Sequence, residues 1–136
     1  MARTEFETLD VYRLAEDLAD RVWRIVAAWP PLPRDTVGKQ LVRAVDSIGA
    51  NIAEGTGRGS YADNRRFVRV ARASLYETKY WLRRAYQREL LSAAQTDSLK
   101  PLVDELGPRL NAYLGSIGPT RPAERRDTPV KLADDR

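Results

Sequence analysis

The sequence predicts an all-α protein built as one antiparallel up-down four-helix bundle. Four stretches carry apolar residues at alternating three- and four-residue steps, the spacing of one helical face, and proline or glycine clusters separate the first three. No stretch alternates apolar and polar residues as a half-buried strand would. At 136 residues, 43% hydrophobic and 31% charged, the chain has the length and balance for one hydrophobic core.

The first helix is predicted over residues 6–29, with Val11, Leu14, Ala15, Leu18, Val22, Ile25 and Trp29 on one face. Pro30, Pro31 and Pro33 stop it, because proline lacks the amide donor and clashes with the preceding turn. The second helix spans residues 36–57. Asp35 or Thr36 caps its start, Val37, Leu41, Val45, Ile48 and Ile52 form its seam, and Gly55, Gly57 and Gly59 close it.

The third helix spans residues 61–90, with Ser60 as N-cap and Asp63 three residues on. Phe67, Val70, Ala71, Ser74, Thr78, Trp81, Leu82 and Ala85 share its apolar face. The fourth spans residues 97–117, with a seam of Leu99, Val103, Leu106, Leu110, Tyr113, Leu114 and Ile117. Pro101 is tolerable in a first turn, whereas Gly107-Pro108 should kink or interrupt the helix. Residues 1–117 thus make the bundle domain. Residues 118–136, with three prolines and mixed charge, read as a disordered C-terminal tail.

Composition narrows the chemistry. The chain contains neither cysteine nor histidine, which removes disulfides, thiolate nucleophiles, Ser-His and Cys-His pairs and the usual zinc sites. The first eight residues are polar and do not form a signal peptide, and no apolar run is long enough to span a bilayer. No membrane association is expected, and a cytoplasmic location is the default. The glycine-rich run from Gly55 to Gly59 lacks the Lys-Ser or Lys-Thr that follows in a nucleotide-binding phosphate loop. Asn51 and Glu54 have no second carboxylate fixed beside them by sequence. No catalytic, cofactor or metal residues are therefore assigned. Trp23, Trp29 and Trp81 read as core or interface anchors.

Two helix faces stand out. On the second helix, Gln40, Arg43, Ser47, Asn51, Glu54 and Arg58 fall on one polar arc opposite the apolar seam. A merely solvated face would favour better helix formers than Ser and Asn. The arc is either a ligand or nucleic-acid site, or a second buried face between subunits or helices. The latter is the commoner use of ion-paired, hydrogen-bonded helix surfaces.

The same residues carry a specific resemblance. The run from Gln40 to Arg58 contains Q-x-x-R-A followed by S-I-x-x-N-I-A-E-G-x-x-R, and Ala71 to Glu77 reads A-x-x-S-L-x-E. With the opening from Phe6 to Tyr12, these blocks resemble the four-helix bundle proteins encoded in 23S rRNA intervening sequences. The resemblance covers residues 6–117. It implies an antiparallel bundle, a homopentameric ring and no established enzymatic activity. It gives Arg43, Ser47, Asn51, Glu54, Gly55, Arg58, Ser74 and Glu77 a structural or assembly role. A more distant similarity is to the accessory variability protein of diversity-generating retroelements, a basic pentameric bundle associated with nucleic acid and a reverse transcriptase. Gly107-Pro108 and the tail depart from the family pattern.

On the third helix, residues 61–90 hold eight basic and three acidic side chains, a surplus of five against a net +4 for the whole chain. Arg65, Arg69, Arg72, Tyr76, Lys79 and Arg83 form a stripe roughly 80° wide. Such a stripe can follow a phosphate backbone, with Tyr76 and Tyr80 available to stack on bases. The alternative is a solvated face, or arginines paired with the acidic face of the first helix. Arginine exceeds lysine throughout the chain, so arginine usage alone says little about phosphate recognition. Repetition around a ring would multiply weak contacts. The sequence therefore points to a non-enzymatic, ring-forming protein that binds RNA or DNA through the third helix. A protein-interaction scaffold, partnering a polymerase-type protein without touching nucleic acid, is the alternative.

Overall fold

A computed structural model of the chain describes residue 6 and residues 9–119. Four long helices account for most of it: α1 (Asp10–Ala27), α2 (Lys39–Thr56), α3 (Tyr61–Gln87) and α4 (Ala93–Ser116). No strand occurs among the described residues. Each helix packs against its two sequence neighbours, with α1 and α4 closing the circuit. Contacts between opposite ends show the antiparallel order. Arg21, late in α1, donates to Ser98, early in α4, at 2.9 Å. Arg65, early in α3, donates to the carbonyl of Ile117 beyond the end of α4 at 3.1 Å.

The core follows the apolar seams. Leu18 from α1, Leu41, Ile48 and Ile52 from α2, Leu75 from α3 and Leu106 and Leu110 from α4 are fully buried. Burying each such side chain stabilises the fold by about 1.5–3 kcal/mol. Trp29 is buried as expected and donates its indole N–H to the Leu90 carbonyl at 3.0 Å. Trp23 is not an anchor within the chain: it is 61% exposed, because it lies on the outward side of α1. Trp81 is half-buried. Val70, expected on the apolar face of α3, is exposed, and the inward positions are Val68 and Leu75.

Several boundaries differ from the sequence reading. α1 begins at Asp10, not residue 6. The proline segment stops α1 but also starts the next helical run. Pro31–Pro33 forms a short helix with Pro31 at its first position, where the missing amide costs nothing. A π-helical turn, Arg34–Gly38, then leads into α2. Asp35 and Thr36 are thus inside a helical run and do not cap one. Thr36 Oγ1 instead donates to the Leu32 carbonyl at 2.6 Å. Gly38 passes α1 so closely that a Cβ there would lie 3.3 Å from the Trp29 ring and closer still to Val26.

α3 does start at the Ser60 cap, which accepts from the Asp63 amide at 3.1 Å. It stops at Gln87 in a Schellman closure, with the Leu90 amide bonding the Ala85 carbonyl and the Glu89 amide bonding Tyr86. α4 begins four residues before the expected start, at a capping box formed by Ser92 and Gln95. Pro101 therefore sits in the helix interior. Neither Pro101 nor Gly107-Pro108 interrupts α4. Both prolines are exposed, so the carbonyls they leave unbonded face water, while Leu99, Leu102, Leu106 and Leu110 hold the opposite side in the core. The expected tail falls almost wholly on residues 120–136, outside the described residues.

Candidate functional site

The polar arc of α2 does not act as one surface. Its centre is internal to the bundle and its edges are outside. Ser74 of α3 donates to Ser47 Oγ at 2.9 Å. Asn51 Nδ2 donates to the Ser47 hydroxyl at 2.9 Å and to the Ser47 carbonyl at 2.8 Å. Thr78, fully buried one turn on, donates to the Ser74 carbonyl at 2.8 Å. Small hydroxyl side chains let α2 and α3 approach while keeping each polar group bonded.

One turn further along α2 the approach is closer. Gly55 lies against α3 so tightly that a Cβ would overlap Asn64 Oδ1 and stand 3.2 Å from Phe67 Cβ. Asn64 Oδ1 is buried there without a hydrogen-bond partner. Outside this contact, Arg58 pairs with Glu54 at 3.3 Å. The guanidinium carbons of Arg58 and Arg66 lie 4.7 and 4.5 Å from the Phe67 ring centroid. Glu77 accepts from the Trp81 indole at 3.3 Å. Arg43 is exposed on the rim of an apolar cleft of about 440 Å³ that Trp23, Val26 and Val42 line.

The basic stripe of α3 divides in two. Its N-terminal half is engaged with α4: Arg65 holds the Ile117 carbonyl, and Arg72 donates to Asn111 Oδ1 at 3.0 Å. Arg69 is half-buried, with Nε shielded from solvent. Arg65 and Arg72 bridge α3 to the α4 side, so a continuous phosphate track from Arg65 to Arg83 is not what the fold presents. The C-terminal half is open. Tyr76 is 64% exposed, Lys79 Nζ lies 5.4 Å from its ring centroid, and Arg83 is exposed beside them. Lys79 and Arg83 also rim an α3–α4 cleft of about 470 Å³, with Leu82, Leu99 and Val103 in its floor. α1 packs mainly on α2 and α4 rather than on α3, which leaves its acidic face away from the stripe among the described residues.

A further cationic–aromatic cleft of about 470 Å³ lies between the lead-in of α2 and the last turns of α3. Lys39, Gln40, Tyr80, Trp81, Arg84 and Arg88 line it. The sequence reading noted Tyr80 as a stacker but missed the cleft. Arg84 and Arg88 lie off the stripe, and Lys39 comes from another helix. The i, i+4 spacing of Tyr80, Arg84 and Arg88 was the available signal.

Two carboxylates are perturbed. The hydrogen bond from Arg34 holds Asp35 below the usual carboxylate range. Burial, and then the Asp20 carboxylate on α1, push Asp46 upward. Among the described residues, no group of three or more carboxylates is placed to hold a metal ion, and no helix is long and apolar enough to cross a membrane.

Comparison with known proteins follows the same residues. The sequence model of the 23S rRNA-intervening sequence protein family matches residues 7–112. A crystal structure from Bacteroides thetaiotaomicron VPI-5482, described as a protein with unknown function from the S23 ribosomal protein family, is similar in fold. It shares 26% identity and a TM-score of 0.70, covering 76% of this chain and 97% of that one. No curated protein matches the sequence.

Proposed function

Because the chain belongs to the 23S rRNA-intervening sequence protein family, we propose that it is a non-enzymatic accessory protein that binds nucleic acid through the open half of α3. The observation that carries this reading is the exposed trio Tyr76, Lys79 and Arg83, in which neither cation has an ion-pair partner among the described residues. Two cations beside an exposed ring supply charge for phosphate and a face for a base. Arg65, Arg69 and Arg72 are then supporting residues that dock α3 on α4.

The protein acts in the cytoplasm as a homopentameric ring, the assembly that its family resemblance implies. Exposed Trp23, Leu32 and Val70 offer apolar surface for contacts between copies. A ring repeats each weak cation–phosphate contact around its circumference, raising the overall affinity through avidity. Light scattering is expected to report five times 15.4 kDa. A monomer removes both the ring and the avidity argument.

A second reading is favoured by the apolar floor of the α3–α4 cleft, where Leu82, Leu99 and Val103 lie behind Lys79 and Arg83. That cleft suits a protein segment, such as one from a polymerase-type partner. Affinity purification with RNA sequencing and proteomics on the same eluate separates the two. Enriched nucleic acid that is lost in high salt supports the first reading. A protein partner retained through nuclease and high salt overturns it in favour of the second.

A further inference from the structure

We propose that the cleft between the α2 lead-in and the C-terminal turns of α3 is a pocket for one unpaired base, making the protein selective for single-stranded over duplex nucleic acid. The proposal rests on the nucleic-acid-binding reading above, but on different residues. Tyr80 is 53% exposed at the cleft, and Trp81 stands edge-on against its ring, with centroids 4.9 Å apart at 81°. The Trp81 indole is itself tied to Glu77, which fixes it beside Tyr80, and the Tyr80 ring is open to solvent.

Three cations line the same cleft. Lys39 comes from α2, and Arg84 and Arg88 follow Tyr80 at four-residue steps on α3. Arg84 also donates to Gln87 at 2.9 Å. Two acidic side chains are close by, and both are engaged: Asp35 is ion-paired with Arg34 at 2.9 Å, and Glu77 accepts from Trp81. The cleft is therefore cationic toward a ligand, and its aromatic content suits a base better than an inorganic anion alone.

Tyr76 and Tyr80 lie one turn apart on α3. A strand held at Lys79 and Arg83 can cross the outer face of α3 and place its next base on Tyr80, with the adjoining phosphate between Lys39 and Arg88. A duplex keeps its bases stacked on one another and has no free base face to give the pocket. Phosphate contacts along Lys79 and Arg83 remain available to it. The cleft thus adds affinity for single strands only.

The test measures anisotropy of fluorescein-labelled 12-mers as single-stranded RNA, single-stranded DNA and duplex DNA, using the full chain. Wild-type protein is expected to bind the single strands more tightly than the duplex. Tyr80→Ala is expected to lower the single-strand to duplex affinity ratio about tenfold, the loss of one base–aromatic stack, and Tyr80→Phe to restore it. Lys39→Glu with Arg88→Glu is expected to flatten the single-strand salt dependence by about one contact, roughly 0.7 in log–log slope. The RNA and DNA arms tell which strand chemistry the pocket takes. Equal wild-type binding of strand and duplex, or an unchanged ratio in a folded Tyr80→Ala protein, overturns the pocket alone. Failure of the wild type to bind any probe overturns the pocket together with the reading beneath it.

Discussion

Ser74 on α3 and Ser47 on α2 share a hydroxyl–hydroxyl hydrogen bond of 2.9 Å, and Asn51 closes on the same Ser47 oxygen. The cluster fixes how α2 and α3 meet, since an all-apolar contact tolerates sliding and a bonded trio does not. Ser74→Ala leaves Ser47 still bonded to Asn51, and a loss of about 1 kcal/mol is expected in urea unfolding. Ser74→Leu overfills the contact and is expected to cost about 1–3 kcal/mol or more. Equal stability for Ser74→Leu and the parent would mean that the two helices do not pack here as described.

Gly55 is the tighter constraint. Any side chain there meets Asn64 first and Phe67 next. Gly55→Ala is expected to destabilise by about 1–3 kcal/mol. Asn64→Ala in the same background should recover part of that, because it removes the nearest obstacle and an unpaired buried oxygen together. A chemical denaturation cycle over the four proteins reads the coupling, and additive effects would contradict the contact.

Glu89 closes α3 with φ of +60°, the left-handed region that glycine adopts without a Cβ penalty. Glu89→Gly is expected to stabilise the fold by about 1 kcal/mol. A thermal melt with an unchanged or lower midpoint would argue against the Schellman closure.

Asp46 gives a pH prediction. Its carboxyl pKa is raised in the folded protein by partial burial and by Asp20 across the α1–α2 contact. Between the unfolded and the raised folded pKa, the folded state holds more protons than the unfolded one. Stability from this group is therefore present at acid pH and is lost as pH rises through that window. Asp46→Asn is expected to raise the melting midpoint at neutral pH and to give no gain below the carboxylate range. Melts at both pH values check the sign, and an equal gain at both would contradict it.

Much of the fold was legible because the apolar steps of Leu18, Leu41, Ile48 and Leu110 can be satisfied only by burial on one helix face. The N-I-A-E-G block contains Gly55, where α2 passes tightly against α3. What the sequence hid was partnership. Arg65 and Arg83 occupy one wheel position, yet Arg65 lies beside the end of α4 and Arg83 beside an open cleft. A helical wheel has no information on where the neighbouring helix ends. Helix starts were misread for a similar reason: Pro31 and Ser92 act through local backbone geometry upstream of the apolar pattern. Pro108 was read as a breaker because proline is costly in an isolated helix, whereas the leucines opposite it hold α4 in place.

The central claim is that the open half of α3 holds phosphate. A titration of a labelled single strand over a range of salt concentrations tests it most directly, comparing wild type with the Lys79→Glu, Arg83→Glu double variant. The account predicts at least a tenfold weaker complex for the variant at low salt and a shallower salt dependence, by roughly 0.7 in log–log slope for each phosphate contact removed. A folded double variant with wild-type affinity and an unchanged slope would contradict it.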